Sequence, residues 1–377
     1  MSHLEELVQT FCPDGVEYRK LGGICQIATG KLNVNKQSED GLYPFFTCAK
    51  EVYRIDTYAF DTEALLISGN GNVGYIHYYK GKFNAYQRTY VLHNLTQNIF
   101  FIKHVLEAGL KKRIEEGLRL GSVPYIKLET LSDFYIPIPP LPVQEEIVRI
   151  LDTFSSVVAE LNAEQAARAR QYEHYRDELI IPQGQFEQKT LGDVGRVCMC
   201  RRIYKEQTDS SGDVPFYKIG TFGKEPDAFI SKELFEEYKS KYSYPKKGDI
   251  LFSAAGTIGK VVVFDGSPSY FQDSNIVWID NDESLVLNKY LYYFYSLGNW
   301  ATSEGGTIAR LYNDNISRTP ISVPPLEVQE QIVSILDRFD ALVNDLKSGL
   351  PAEIALRRKQ YEYYRDKLLT FPQKPGG

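Results

Sequence analysis

Pro140-Leu-Pro-Val-Gln-Glu-Glu-Ile-Val-Arg-Ile-Leu-Asp-Thr-Phe154 returns 185 residues later as Pro325-Leu-Glu-Val-Gln-Glu-Gln-Ile-Val-Ser-Ile-Leu-Asp-Arg-Phe339. The apolar positions Val143, Ile147, Ile150, Leu151 and Phe154 are kept as Val328, Ile332, Ile335, Leu336 and Phe339, and their 4, 3, 1, 3 spacing is that of an amphipathic helix. Farther on, Gln171-Tyr-Glu-His-Tyr-Arg-Asp-Glu-Leu179 returns as Gln360-Tyr-Glu-Tyr-Tyr-Arg-Asp-Lys-Leu368, now offset by 189. Four residues are therefore inserted in the second copy, and Ser348-Gly-Leu-Pro351 is where Gly and Pro should break its helix. The first copy has no breaker from Val143 to Ile180, which predicts one rod of roughly 55 Å at 1.5 Å per residue.

Upstream of each helical copy lies a less similar segment in which aromatic and β-branched runs alternate with Gly-rich turns, the pattern of strands with short connections. Echoes persist at the same offset: Leu66-Ile-Ser-Gly-Asn-Gly-Asn-Val-Gly74 aligns with Leu251-Phe-Ser-Ala-Ala-Gly-Thr-Ile-Gly259, and Gly121-Ser-Val123 with Gly306-Thr-Ile308. Pro13-Asp-Gly15 followed by Leu21-Gly22 also resembles Pro182-Gln-Gly184 followed by Leu191-Gly192. Such a repeat is cyclic and should bring the two ends of the chain near each other. The expected fold is α+β: a tandem, pseudo-twofold repeat of two mixed α/β globular domains, 1–139 and 183–324, separated by helical regions, 140–182 and 325–372, that pack as an antiparallel coiled coil.

With 377 residues, 43% hydrophobic and 24% charged, the chain is long enough for several domains with their own cores. It shows neither a signal peptide's apolar core nor an apolar run of about 18 residues, so a cytoplasmic protein without a membrane partner is expected. The five cysteines lack the paired spacing of a zinc site or redox dithiol, and buried thiols are the expectation. Net charge is −6, which by itself argues against a polyanion partner. Distribution argues the other way, because Lys80 to Lys127 holds nine basic residues against three acidic ones.

Catalytic motifs mostly fail. An adenine methyltransferase needs a small polar residue before Pro-Pro-aromatic, whereas Pro139-Pro140 lies between Ile138 and Leu141. Gly256-Thr-Ile-Gly-Lys260 is too short for a phosphate-binding loop. Asp227, Glu237 and Lys239 have the residue types of a metal-dependent nuclease, but Ser231 to Ser240 resembles a charged helix rather than the strand such a site uses. Around the Gly-rich turns the side chains suit base-edge and phosphate contacts: Asn70, Asn72, Lys82, Gln87 and Arg88 in the first copy, Thr257, Lys260, Gln272 and Asn275 in the second. Simple turn chemistry also explains Asn and Gly there, and residue by residue it is the slightly favoured reading. Arg119, Tyr125 and Lys127, with Arg310, Tyr312 and Asn313 at or near the equivalent places, leave the same two readings open. Tyr172, Tyr175 and Arg176 recur as Tyr361, Tyr364 and Arg365, a duplicated aromatic and basic patch suited to helix packing or to a docking partner.

Taken together, Lys247-Gly-Asp-Ile-Leu-Phe-Ser-Ala-Ala-Gly-Thr-Ile-Gly-Lys260, Gly305-Gly-Thr-Ile-Ala-Arg-Leu311, both Pro-Pro-Leu-x-Val-Gln-Glu helix starts and both Gln-Tyr-Glu-x-Tyr-Arg-Asp ends resemble the specificity subunits of type I restriction-modification systems over nearly the whole chain. The resemblance implies two target-recognition domains that read the halves of a bipartite site in double-stranded DNA, with the helices as a ruler between them. It also implies a non-catalytic chain holding no cofactor, on which two methyltransferase subunits dock, with restriction subunits held through them. S-adenosylmethionine, ATP and magnesium would belong to those partners. Docking is then expected at Gln144, Glu145, Tyr172, Tyr175 and Arg176, and at Gln329, Glu330, Tyr361, Tyr364 and Arg365. Because the globular segments differ far more than the helices, an asymmetric target is predicted. The alternatives are a metal-dependent nuclease and a protein-binding scaffold without sequence readout.

Overall fold

The computed structural model describes residues 3–116, 124–181, 186–300 and 310–375. Strand Phe60–Ser68 shows how the first copy builds its core, since alternate side chains of a strand face opposite sides of a sheet. Leu65 and Ile67 enter the main core, while Ala64 and Leu66 face a smaller cluster with Phe46, Phe83, Ala85 and Val91. The chain divides into two compact units, 1–162 with 353–377, and 163–352.

In the first unit a six-stranded sheet runs in the order Gln26–Thr29, Thr89–His93, Phe60–Ser68, Ile76–Ala85, Tyr43–Phe46, Tyr53–Ile55. All its pairings are antiparallel except that of Tyr43–Phe46 with the end of Ile76–Ala85. Helix Ile99–Glu116 packs Phe101, Ile102, Leu106 and Leu110 onto the Leu65 face, and Val143, Ile147 and Leu151 complete that core. Glu17–Lys20 pairs antiparallel with Tyr135–Ile138.

The second unit repeats this plan with shorter strands. Its four-stranded antiparallel sheet has the order Arg196–Cys198, Ile276–Asp280, Ile250–Ser253, Val261–Val263, matching the first four places of the larger sheet. Val214–Tyr217 again makes the parallel pairing, here with Tyr270–Phe271. Glu187–Thr190 pairs with Pro320–Val323 as Glu17–Lys20 does with Tyr135–Ile138. The charged segment forms helix Lys232–Lys241, capped by the Ser231 hydroxyl, which accepts from the Leu234 N–H.

The predicted helices form. Leu141–Ile180 is one helix of 40 residues, about 60 Å long. The second copy is broken where expected, into Leu326–Asn344 and Leu350–Leu368. In the first unit the early half of the long helix runs antiparallel to Leu350–Leu368, with Phe154 stacked on Tyr364 at 5.2 Å and Arg358 donating to Asn162 at 3.4 Å. In the second unit its later half runs antiparallel to Leu326–Asn344, with Tyr175 against Phe339 at 5.6 Å and Gln165 donating to the Val343 carbonyl at 3.2 Å. Phe154 corresponds to Phe339 in the repeat and Tyr364 to Tyr175, so each unit makes the same contact with the partners exchanged.

The expected closeness of the chain ends appears within the first unit. The Val16 N–H donates to the Pro372 carbonyl at 2.9 Å, the Lys374 N–H donates back to Val16 at 3.0 Å, and the Tyr18 hydroxyl donates to the Phe371 carbonyl. Gly15 makes room for this, at φ +88°, where a Cβ would lie 2.3 Å from the Pro372 oxygen. All five cysteines are free thiols, and among the described residues no helix is long and apolar enough to cross a membrane.

Candidate nucleic-acid interface

In each unit a cleft lies beside the same turn. Ser68 and Ser253 end equivalent strands, and the turns that follow are shaped by Gly71 and Gly256 (φ +65° and +68°) and by Gly74 and Gly259 (φ +81° and +79°). A side chain at positive φ is strained, so glycine sets the path of both turns. The Gly69 carbonyl accepts from the Ile126 N–H at 2.9 Å, and the Ala254 carbonyl accepts from the Leu311 N–H at 2.8 Å. Both pairs are 185 residues apart, so the repeat fastens a later segment beside each turn in the same register.

In the first unit the cleft, about 310 Å³, is lined by Thr29, Gly69, Asn70, Gln87, Arg88, Tyr90, Tyr125 and Ile126. Four residues singled out in the sequence, Asn70, Gln87, Arg88 and Tyr125, therefore converge. The Gln87 amide and the Arg88 guanidinium make no hydrogen bond or ion pair among the described residues and face solvent. Lys127 lies 5.8 Å over the Tyr125 ring at the rim. Two other expected residues stand apart. The Asn72 amide donates to the Cys48 carbonyl at 2.9 Å, tying its turn to the loop after strand Tyr43–Phe46, and Lys82 sits over Tyr58 at 4.8 Å on the strand position opposite Asp61. Arg119 lies outside the described residues, as do the Gly121 and Gly306 segments.

The second unit's cleft, about 670 Å³, contains Gln272, Asn275 and Arg310 among its lining. Gln272 accepts the Ile219 N–H at 2.9 Å, and Arg310 donates to the Ser274 hydroxyl at 3.0 Å while lying 5.8 Å from the Tyr312 ring. Tyr125 and Lys127 thus correspond to Arg310 and Tyr312 with cation and ring exchanged. Thr257 is exposed on the turn, and Asn313 begins helix Asn313–Arg318. Lys260 departs from the expected phosphate contact: its ammonium is half-buried and donates to the Phe222 carbonyl, which ties two loops together. Sequence reading missed Arg202, Lys205 and Lys218 in this lining, together with Asp273. Lys218 pairs with Asp227 at 2.8 Å and Arg202 with Asp273 at 2.9 Å. The 185-residue offset was a usable signal, since it sets Asp273 where the first unit has Arg88.

Two of the expected docking residues have another task. Gln144 and Gln329 are fully buried and spend their amides internally. Gln144 donates to the Pro139 carbonyl at 2.7 Å and to Gln97 at 2.8 Å, and accepts the Asn98 N–H at 3.0 Å. Gln329 donates to Pro324 at 2.7 Å and Leu285 at 3.0 Å, and accepts the Leu287 N–H at 2.9 Å. Each clamps the start of its helix to the loop that leads into an earlier helix, Ile99–Glu116 for Gln144 and Asn288–Ser296 for Gln329, which leaves nothing for a partner. Glu145 and Glu330, one residue on, are exposed.

The duplicated aromatic patch divides. Tyr172 and Tyr361 pack against the cores, and burial, aided by Asp340, pushes Tyr172 up to about 12; burial also raises Tyr361. Arg176 and Arg365 each lie 5.9 Å from these rings, while Tyr175 and Tyr364 keep exposed edges. Of the nuclease-like set, Asp227 is held by Lys218, Glu237 by Lys241 at 2.9 Å, and Lys239 lies over the Phe235 and Tyr244 rings. Among the described residues no group of three His, Cys, Asp or Glu side chains is arranged to hold a metal ion.

Comparison with known proteins agrees with this duplicated plan. The profile of the type I restriction modification DNA specificity domain matches twice, over residues 13–169 and 183–356. A Haemophilus influenzae protein named "Putative type I restriction enzyme specificity subunit" is 47% identical over 371 residues, 94% of this chain and 96% of its own. The EcoR124I/EcoR124II specificity subunit of Escherichia coli is 34% identical over 274 residues, 65% of each chain. Among solved structures, the S subunit from M. genitalium aligns with a TM-score of 0.55 at 15% identity, covering 94% of this chain and 96% of that one. A chain from work on complex assembly and conformational transition of the type I R-M system aligns at 0.61 and 16%, covering 95% and 98%. These two likenesses are of fold. With the domain present twice and a relative matched along nearly its whole length, this chain belongs to the type I restriction-modification specificity subunit family.

Proposed function

We propose that the chain reads a bipartite, asymmetric target in double-stranded DNA and holds the subunits that act on it, without catalysing a reaction itself. The observation that carries this reading is the pair of equivalent clefts, each beside a glycine-shaped turn, whose framework repeats while their lining side chains differ. Arg, Asn and Gln side chains discriminate base edges by paired hydrogen bonds in the major groove, so differing linings read differing half-sites. The recognition domains then comprise residues 1–139 and 183–324, and the helical regions 140–182 and 325–372 separate them and set the unread spacer.

Glu145 and Glu330, with the exposed edges of Tyr175 and Tyr364 and the ion pairs of Arg176 with Asp177 and Arg365 with Asp366 beside them, are the surface offered to two methyltransferase subunits, through which restriction subunits are held. S-adenosylmethionine, ATP and magnesium act in those partners. With a net charge of −6, the chain depends on those partners to close around the duplex, since phosphate contacts are made chiefly by Lys and Arg.

The test is co-expression with the methyltransferase encoded beside it, followed by sequencing of host DNA for N6-methyladenine. One split, asymmetric motif is expected, and exchanging residues 183–319 for those of a relative should change one half only. A stable complex whose methylation pattern is indifferent to this chain would leave it a scaffold without sequence readout, and a palindromic motif would refute the asymmetry.

A further inference from the structure

The repeat substitutes an acid for a base at the centre of the second cleft. Asp273 stands 185 residues after Arg88, whose guanidinium is exposed in the first cleft and makes no hydrogen bond or ion pair among the described residues. Asp273 is not a loose surface carboxylate, being 18% exposed and accepting from Nε of Arg202 at 2.9 Å. Arg202 comes from the segment just after strand Arg196–Cys198 and is itself 59% exposed. Among the described residues it is held through Nε alone, which leaves both terminal nitrogens to form the two-pronged donor that matches the O6 and N7 acceptors of guanine.

The other cations of this cleft are less suited to that task. Lys218 is neutralised by Asp227 at 2.8 Å, Arg310 turns Nη2 onto Ser274, and Lys205 offers a point charge without a planar fork. Resting on the DNA-reading assignment above, the geometry points to Arg202 as the guanine-reading residue of the second unit, with Asp273 as the positioning residue that aims it. The second unit thereby recovers, from a different strand end, the guanidinium that the first unit presents as Arg88. A carboxylate that fixes one edge of the fork removes rotamer freedom from the long side chain before DNA arrives, so less is lost on binding.

The experiment uses the chain assembled with its methyltransferase subunits and a duplex library randomised in both half-sites. Wild type should favour a G·C pair at one position of the half-site read by the second unit. Arg202→Ala should cut that preference by on the order of 10- to 100-fold, leaving the other half-site as an internal control of folding. Arg202→Lys retains the ion pair with Asp273, and so carries the test should the alanine variant fail to assemble; it should lose most of the discrimination while keeping overall affinity. Asp273→Asn should loosen the same position less, and combining it with Arg202→Ala should add nothing, as expected of two residues acting through one contact.

Equal weakening of every sequence by Arg202→Ala would make the residue a phosphate contact and overturn the inference, as would unchanged discrimination. In both cases a wild-type motif that is altered elsewhere by Arg88→Ala leaves the DNA-reading assignment standing. A wild-type complex with no sequence preference at all brings down both.

Discussion

Aspartate 152 and its repeat mate Asp337 show how one position is satisfied by different chemistry in the two units. Asp152 accepts from Nε2 of His104 at 2.9 Å, whereas Asp337 accepts from the Tyr293 hydroxyl and pairs with Lys289 at 3.1 Å. His104 is almost wholly buried, and desolvation holds its pKa below the ordinary histidine value despite the attraction of Asp152 and Glu107. A histidine with a depressed folded pKa binds its proton more readily when unfolded. The first unit should therefore be fully stabilised above about pH 6.5 and lose stability as pH falls from there towards the folded pKa. Denaturant midpoints measured between pH 7.5 and 5.5 should decline for the wild type, and His104→Gln should flatten that slope. Gln144 makes a second residue-scale prediction. Gln144→Leu leaves the Pro139 carbonyl unpaired in the interior, at a cost of about 1–3 kcal/mol, and the half-buried Asn98 N–H unpaired at less. Chemical unfolding should register that loss, and Gln329→Leu should do the same in the second unit through Leu287 and Pro324.

Among the elements, the helices carry their own instructions and the small strands do not. Leu151 is fully buried where the long helix meets the first core, so Leu151→Ala should cost about 2–5 kcal/mol in thermal or denaturant unfolding, in line with the loss of a packed leucine. Exposed Glu145 on the same helix should tolerate alanine with little change in stability. The segment after helix Leu350–Leu368 closes the first unit by pairing with Val16, and it buries Phe371. Removing residues 369–375 should lower the melting temperature, because it exposes that apolar face and leaves the Val16 N–H without its acceptor. Gly15→Ala should destabilise the same closure, its new Cβ meeting the Pro372 carbonyl at positive φ. If Gly15→Ala melts with the wild type, the pairing of the two ends contributes little.

At the scale of the whole molecule, each unit has its own sheets, its own helix pairing and its own cleft. The 185-residue repeat was legible in sequence because apolar periodicity and proline punctuation are local properties, and they announced the helices, the broken second copy and the equivalent strand-turn segments without any knowledge of packing. The cleft in the first unit was half legible: Asn70, Gln87, Arg88 and Tyr125 converge there, but Asn72 is spent on the Cys48 carbonyl of another loop and Lys82 on a tyrosine. What the sequence by itself determined, then, was the duplicated plan and the family. Tertiary structure alone decided that Gln144 and Gln329 are interior clamps, that Lys260 bridges loops, and that Arg202 reaches Asp273 from 71 residues away. The physical reason is the range of the forces involved. Helix periodicity and turn geometry are fixed by neighbours along the chain, whereas a polar side chain takes whichever partner folding brings within hydrogen-bond reach, and that partner is named only once the strands have paired.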